Sequence, residues 1–265
     1  MMRADEDLQG GAPVRQPGDV EIIAGDPASG ILLLCDHATN AIPPELNLLG
    51  LPPQQLERHI AYDIGAAEMT RAMAQALGAP AVLSNFSRLL IDPNRGRDDP
   101  TLVMRISDGA IVPGNARIDE AGIAERIARY YAPYDTAIDA AIETAIAAGY
   151  PPAIVSLHSF TPFWKGVPRP WHAGVLWDRE GRLAQALIAA LQAEGDLIVG
   201  DNEPYNGGLP GDTIDRHATR RGLLDALIEI RQDLIGEPHA ARAWGLRLAR
   251  LLPGALAAAL DRVAF

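Results

Sequence analysis

The sequence has one cysteine, Cys35, in 265 residues. Internal disulfides are excluded, and a reducing cytoplasm is the expected location. No apolar run approaches the ~20 residues of a membrane span. The first residues, Met1–Gly18, lack the apolar core of a signal peptide, so they read as a flexible polar tail on a soluble, non-exported protein. Positive charge is scarce as well. The 23 Lys+Arg stand against 34 Asp+Glu, a formal net charge of −11, which argues against nucleic acid or an anionic membrane as a partner. A small anionic substrate remains open, since a few local arginines override the global field at short range. Internal repeats are absent, and the only compositional bias is the alanine in the helices.

What is present is a composition fit for a sizeable core, 48% hydrophobic and 22% charged, in one domain over 19–265. The central stretch is Ile31–Asn40, a short apolar run that ends in Asp36 and His37 before a polar loop. Such a run reads as a buried strand, and polar residues just past it stand where open α/β sheets place ligands. Ala153–Phe160 repeats the pattern with His158. Cys35, inside the first run, is expected to be a small core residue rather than a nucleophile.

Around these, Val20–Ala24, Ala81–Leu83, Arg88–Ile91, Ala173–Trp177, Leu197–Val199 and Leu224–Ile230 read as further strands. Helical spacing marks Gln54–Leu77, Ile118–Ala148 (with a break expected near Pro133), Arg182–Ala193 and Pro238–Ala259, and a short helix reaches Arg221 after a glycine-rich loop, Asn202–Gly211. Strands alternating with helices of this length imply an α/β sandwich around a mostly parallel sheet.

Five stretches put polar groups at strand ends: Asp36 and His37, Arg88, Asp92–Arg95, His158 and Glu229. Two histidines with a carboxylate are the donor set of a catalytic zinc, which keeps one position for water. A second carboxylate nearby can take the proton of that water. Glu229 interrupts a core strand, where a charge is costly unless it has a task or a partner. Arginine and asparagine beside such a centre would hold a substrate carboxylate. His217, in Asp215–Arg220, is a candidate for gating or substrate binding. His59 and His172 stand near the same stretches with less to recommend them, and His239 reads as a surface residue. Asn202, Glu203 and Tyr205 are candidates for a substrate loop.

These residues resemble known families. His37-Ala-Thr-Asn40 resembles the His-x-x-Glu pair of zinc carboxypeptidases and aspartoacylase-like amidohydrolases, and Asp92-Pro-Asn94-Arg95 is similar to their carboxylate-gripping Asn-Arg pair. Ser156-Leu-His158-Ser159 resembles the strand with their third ligand, and Glu229-Ile-Arg231 the strand with their general base. From about Val20 to Leu260 the sequence resembles the N-formylglutamate amidohydrolases, through CDHATNAIP, IDPNR, SLHSF, NEPYNG and IEIRQDLI.

The resemblance implies a three-layer, zinc-carboxypeptidase-like (phosphorylase/hydrolase-like) mixed sheet. It further implies a hydrolase of a small-molecule N-acyl amino acid, N-formyl-L-glutamate or another acidic one, with Glu229 as base, Asn94 and Arg95 on the substrate, and a zinc ion; Arg88 and His217, read from their own stretches, are further candidates for substrate binding. Asn40 stands where the carboxypeptidases have a glutamate ligand. A replacement carboxylate is therefore expected beside His37 and His158, with Asp63 the first candidate and Asp36 the second. Two alternatives stay open. One is a deacylase or metallopeptidase for another N-acyl amino acid, with Trp164 and Trp171 around Lys165 and Arg169 admitting a larger acyl group. The other is a metal-free carboxylate binder.

Overall fold

A computed structural model describes residues 19–261; the tail expected over 1–18 lies outside them. Seven strands form the main sheet: β1 (Glu21–Ile23), β2 (Ile31–Cys35), β3 (Ala81–Leu83), β4 (Ala153–Phe160), β5 (Ala173–Leu176), β6 (Val199–Asp201) and β7 (Asp225–Arg231). Their spatial order is β1-β3-β2-β4-β7-β5-β6. The pairs β3–β2, β2–β4, β4–β7 and β5–β6 are parallel, whereas β1–β3 and β7–β5 are antiparallel. The sheet is thus mixed and mostly parallel.

Successive side chains on a strand point to opposite faces, and here that alternation sorts core from site. Leu33, Cys35, Val155, Leu157, Ile228 and Ile230 pack on one face against α1 (Ala66–Leu77), α3 (Arg182–Ala193) and α4 (Pro238–Asp261). Cys35 is fully buried there; burial drives its thiol pKa up, so it stays an inert core group. Leu32, Leu34, Ile154 and Leu227 pack on the other face, which also receives Ser156, His158 and Glu229 by the same alternation. That face is covered by α2, a continuous run of Glu120–Arg126, a π-turn at Ile127–Tyr131, and Ala132–Ala147. The helix does not break at Pro133; the π-turn just ahead of it absorbs the proline, whose missing N–H is harmless where the regular ladder is already displaced.

Two expectations are corrected. Arg88–Ile91 is a buried turn, not a strand: Leu90 N donates to Ser87 O and Arg88 N to Ala61 O. Short apolar runs fit several buried conformations, so periodicity alone misreads them. The helix expected over Gln54–Leu77 is split into Pro53–Leu56 and α1. Gly65 divides them with φ 80°, and an added Cβ there would lie 2.1 Å from Ile235 O. The split has a consequence for the site, since it leaves Asp63 in a turn beside His37. A smaller shift concerns the strand expected over Leu197–Val199, which begins at Val199, where pairing with Ala173 starts.

Candidate metal centre

The carboxyl ends of the parallel strands β2, β4 and β7 lie side by side and deliver His37, His158 and Glu229 to one edge of the sheet. Glu229 stands in register with His158 on the neighbouring strand. Asp63 comes from the turn before α1, held by its backbone N–H, which donates to His37 O at 3.0 Å. Its Oδ2 is 3.2 Å from His37 Nδ1 and 2.8 Å from His158 Nδ1. One donor atom from each of His37, Asp63 and His158 falls within 4.8 Å of the others, and all three residues are buried.

The outer ring nitrogens face carboxylates. His37 Nε2 lies 2.7 Å from Asp92 Oδ1, and His158 Nε2 lies 3.2 Å from Asp36 Oδ2. A proton on each Nε2 donated outward leaves the Nδ1 lone pairs directed at one point, the arrangement that orients histidine ligands in metal sites. Asp36 is itself fixed: its oxygens accept from Ser156 Oγ at 3.1 Å, Tyr134 Oη at 3.0 Å and Thr213 Oγ1 at 2.9 Å. Two imidazoles and one carboxylate with a buried supporting shell suit zinc or a similar divalent ion.

The buried carboxylates and His158 stabilise one another's charged forms, and a bound cation would take the place of the His158 Nδ1 proton. Burial pushes the Asp36 pKa up, but the hydrogen bond and charge of His158 outweigh it and hold the group at about 2. Burial likewise raises Asp63 and Asp92. The histidines reverse this for Asp63, while the Arg88 guanidinium and then His37 reverse it for Asp92, and both carboxyls stay below the ordinary carboxylate range. His158, although burial disfavours its charge, is held well above the usual imidazole range by Asp36 and Asp63. Glu229 is the exception among these carboxylates. Burial drives it up to about 7 against the lowering influence of His158, and its Oε2 is buried without a hydrogen-bond partner.

These groups open onto a cavity of about 370 Å³. Arg88, Asn94 and Arg95 line it together with His37, Asp63, His158 and Glu229. Arg88 donates to Asp92 Oδ2 through Nε and Nη2 at 3.1 and 2.7 Å, and its Nη1 is 3.5 Å from Asp63 Oδ1. Arg95 donates from Nε to Thr101 Oγ1 and from Nη1 to Asn94 O. Asn94 accepts from Thr213 N at 3.1 Å through Oδ1, which leaves its amide N–H groups as the donors to offer. Tyr205 and Trp164 also line the cavity.

Other expectations fall elsewhere. His217 does not line the cavity; its ring nitrogens face Asp139 at 3.0 Å and Asp135 at 2.8 Å. An ion-paired helix end explains its burial without a substrate. Asp36, the second ligand candidate, stands behind His158 rather than beside the convergent nitrogens. Asn40 donates to Leu56 O at 2.9 Å and pins the loop. His59 reaches the cavity wall but pairs with Asp108 at 3.1 Å, and His172 Nδ1 accepts from Ile198 N. In the sequence Asp92 belongs to the stretch Asp92–Arg95 with no sign of a histidine partner, and Tyr134 and Thr213 belong to helices. Their role in supporting the histidines depends on contacts across 55 to 177 positions, which no local pattern carries.

Comparison with known proteins adds to this geometry. No curated protein matches the chain. Among solved structures it is similar to gene product Atu2144 from Agrobacterium tumefaciens, at 34% identity and a TM-score of 0.83, over 90% of this chain and 94% of that one. It also shares the fold of N-formylglutamate amidohydrolase from Ralstonia eutropha JMP134, at 21% identity and a TM-score of 0.67, over 88% of this chain and 97% of the other. Residues 29–236 match the N-formylglutamate amidohydrolase family. The chain belongs to the N-formylglutamate amidohydrolase family and is a hydrolase of amide bonds.

Proposed function

We propose that this hydrolase is metal-dependent and cleaves the amide of an N-acyl amino acid, the class to which N-formylglutamate belongs. The observation that carries the reading is the convergence of His37 Nδ1, His158 Nδ1 and Asp63 Oδ2 beside a buried carboxylate with an unpartnered oxygen. His37, Asp63 and His158 would hold the ion, zinc being the natural choice for this donor set. Bound there, it would polarise the amide carbonyl and acidify a water.

The protein's own groups do the rest. Glu229 takes the proton of the attacking water on its free Oε2 and passes it to the amide nitrogen as the carbon–nitrogen bond breaks. Arg95 grips the substrate carboxylate through its guanidinium, and the Asn94 amide donates beside it. Arg88 lines the cavity with its donors turned to Asp92 and Asp63. It contributes positive potential near the reacting carbonyl and holds the carboxylate behind His37, in place of the direct substrate clamp its sequence position suggests.

Metal content of the purified protein beside His158→Ala, with hydrolysis of a panel of N-formyl and N-acetyl amino acids, tests the reading. Near one equivalent of metal in the parent, lost in the variant along with hydrolysis, is the expected result. Metal-independent hydrolysis, or no metal uptake after zinc is supplied, rejects it.

A further inference from the structure

The cavity wall has an unequal supply of charge. Its two arginines are Arg88 and Arg95. Arg88 is committed: Asp92 takes two of its donors and Asp63 stands 3.5 Å from a third nitrogen. His59 is paired with Asp108, which Arg58 also contacts at 2.7 Å. Arg95 is the one guanidinium on the described wall without a carboxylate in direct contact, its hydrogen bonds going to Thr101 Oγ1 and Asn94 O.

Elsewhere the described wall has no other arginine or lysine, and Ser107, Ser159, Tyr205 and Asn206 give it neutral polar groups. Ile60, Met104, Trp164, Leu176, Leu209 and Leu227 supply the apolar surface, and Asp108 and Asp212 the remaining charges. Arg169 is buried and lacks a carboxylate, but it does not line the cavity; its Nη1 donates to Tyr205 Oη at 2.9 Å, and its guanidinium rests over the Tyr205, Trp164 and Phe160 rings. Asp63 and Glu229 already face any cation that the histidines hold.

From this charge inventory we infer that the preferred substrate carries one carboxylate, seated on Arg95, and an uncharged, largely apolar amino-acid side chain, as in an N-formyl derivative of leucine or methionine. N-formylglutamate brings a second carboxylate, which would leave water for a wall with no free cation to receive it. An enclosed charge without a partner is costly, whereas an apolar side chain gains by leaving water on that same wall. The inference rests on the proposed N-acyl amino acid hydrolysis and specifies its substrate.

The experiment compares N-formyl-L-leucine, N-formyl-L-methionine, N-formyl-L-glutamine and N-formyl-L-glutamate on the zinc-loaded protein. We expect kcat/KM for leucine and methionine to exceed that for glutamate by about tenfold or more, with glutamine between them, in the range that pocket chemistry commonly supplies. Met104→Arg, which adds a cation to the wall, should move the preference toward glutamate. Calorimetric binding of N-acetyl-L-leucine and N-acetyl-L-glutamate to Glu229→Gln gives a readout free of turnover, with leucine bound more tightly. Equal or better use of glutamate, or its tighter binding, overturns the inference while leaving amide hydrolysis standing. If no compound is turned over, the hydrolytic reading fails and the binding comparison alone decides the side-chain preference.

Discussion

Glu229 and His158 face each other in register across two adjacent parallel strands. The pairing sets the proposed base beside a metal-ligand candidate through backbone hydrogen bonds, without requiring a direct side-chain bond between them. Replacing Glu229 with glutamine keeps the shape and removes the proton acceptor. The expected outcome is a loss of about a hundredfold or more in kcat, with metal content and thermal stability close to those of the parent, read by steady-state kinetics, elemental analysis and melting.

Asp92 stands behind His37 rather than in the ligand set. Asp92→Asn should therefore weaken zinc affinity by about 10- to 100-fold, the range for groups that orient metal ligands. A competition titration with a chromophoric chelator reads this directly. An affinity equal to that of the parent would show that the His37–Asp92 contact does not orient the imidazole.

Gly65→Ala probes the turn that carries Asp63. Alanine in the left-handed region costs roughly 1–2 kcal/mol, and here its Cβ would also meet Ile235 O at 2.1 Å. A lower Tm is expected together with weaker metal binding, because relief of the clash shifts the turn between His37 and α1. A drop in Tm with metal affinity unchanged would uncouple the turn from the site.

Asp225 supplies a pH test away from the metal centre. Its side chain is buried and neither oxygen makes a hydrogen bond of full geometry. Burial, followed by the charge of Glu180, raises its pKa to about 7, and Thr219, which favours the charged form, has the smallest influence. A carboxyl whose pKa is higher folded than unfolded stabilises the fold at low pH relative to high pH. The stability is complete below the unfolded value near 4 and is lost as pH rises through about 7. The loss is at most about 4 kcal/mol, from roughly three pKa units. Asp225→Asn should abolish this slope, so that the variant gains on the parent between about pH 5 and about pH 8 in thermal melts. Parallel pH profiles for the two proteins would contradict it.

His217 sits between Asp135 and Asp139. His217→Asn should lower Tm, since two carboxylates lose their buried partner, and should leave KM for an N-acyl amino acid within about twofold, a change too small to signal a lost substrate contact. A large rise in KM with Tm unchanged would instead assign the residue to substrate.

Much of the architecture was legible because buried strands write themselves as short apolar runs. Ala81–Leu83 and Arg182–Ala193 have the boundaries that their residues imply. His37, His158 and Glu229 stood out since each puts a polar group at or within such a run. Asp63 could be reached only by asking what replaces a glutamate at Asn40, and its place depends on Gly65 interrupting a helical pattern. Arg88–Ile91 misled because a turn buried on all sides has the same apolar content as a strand. The partners of His37 and His158 were out of reach for a different reason: Asp92, Asp36 and the groups that fix Asp36 meet only when distant segments pack.

β7 is the last strand in the sequence, yet it lies between β4 and β5 in the sheet. The outer pair β5 and β6 joins the remaining strands only through it. The sheet therefore depends on contacts between distant parts of the chain, the kind that slows folding, and the strand that joins its two parts is the one that carries Glu229. His37, Asp63 and His158 all precede that strand in the sequence. Glu229, the proposed proton acceptor, thus comes beside His158 only through the pairing of the last strand with β4.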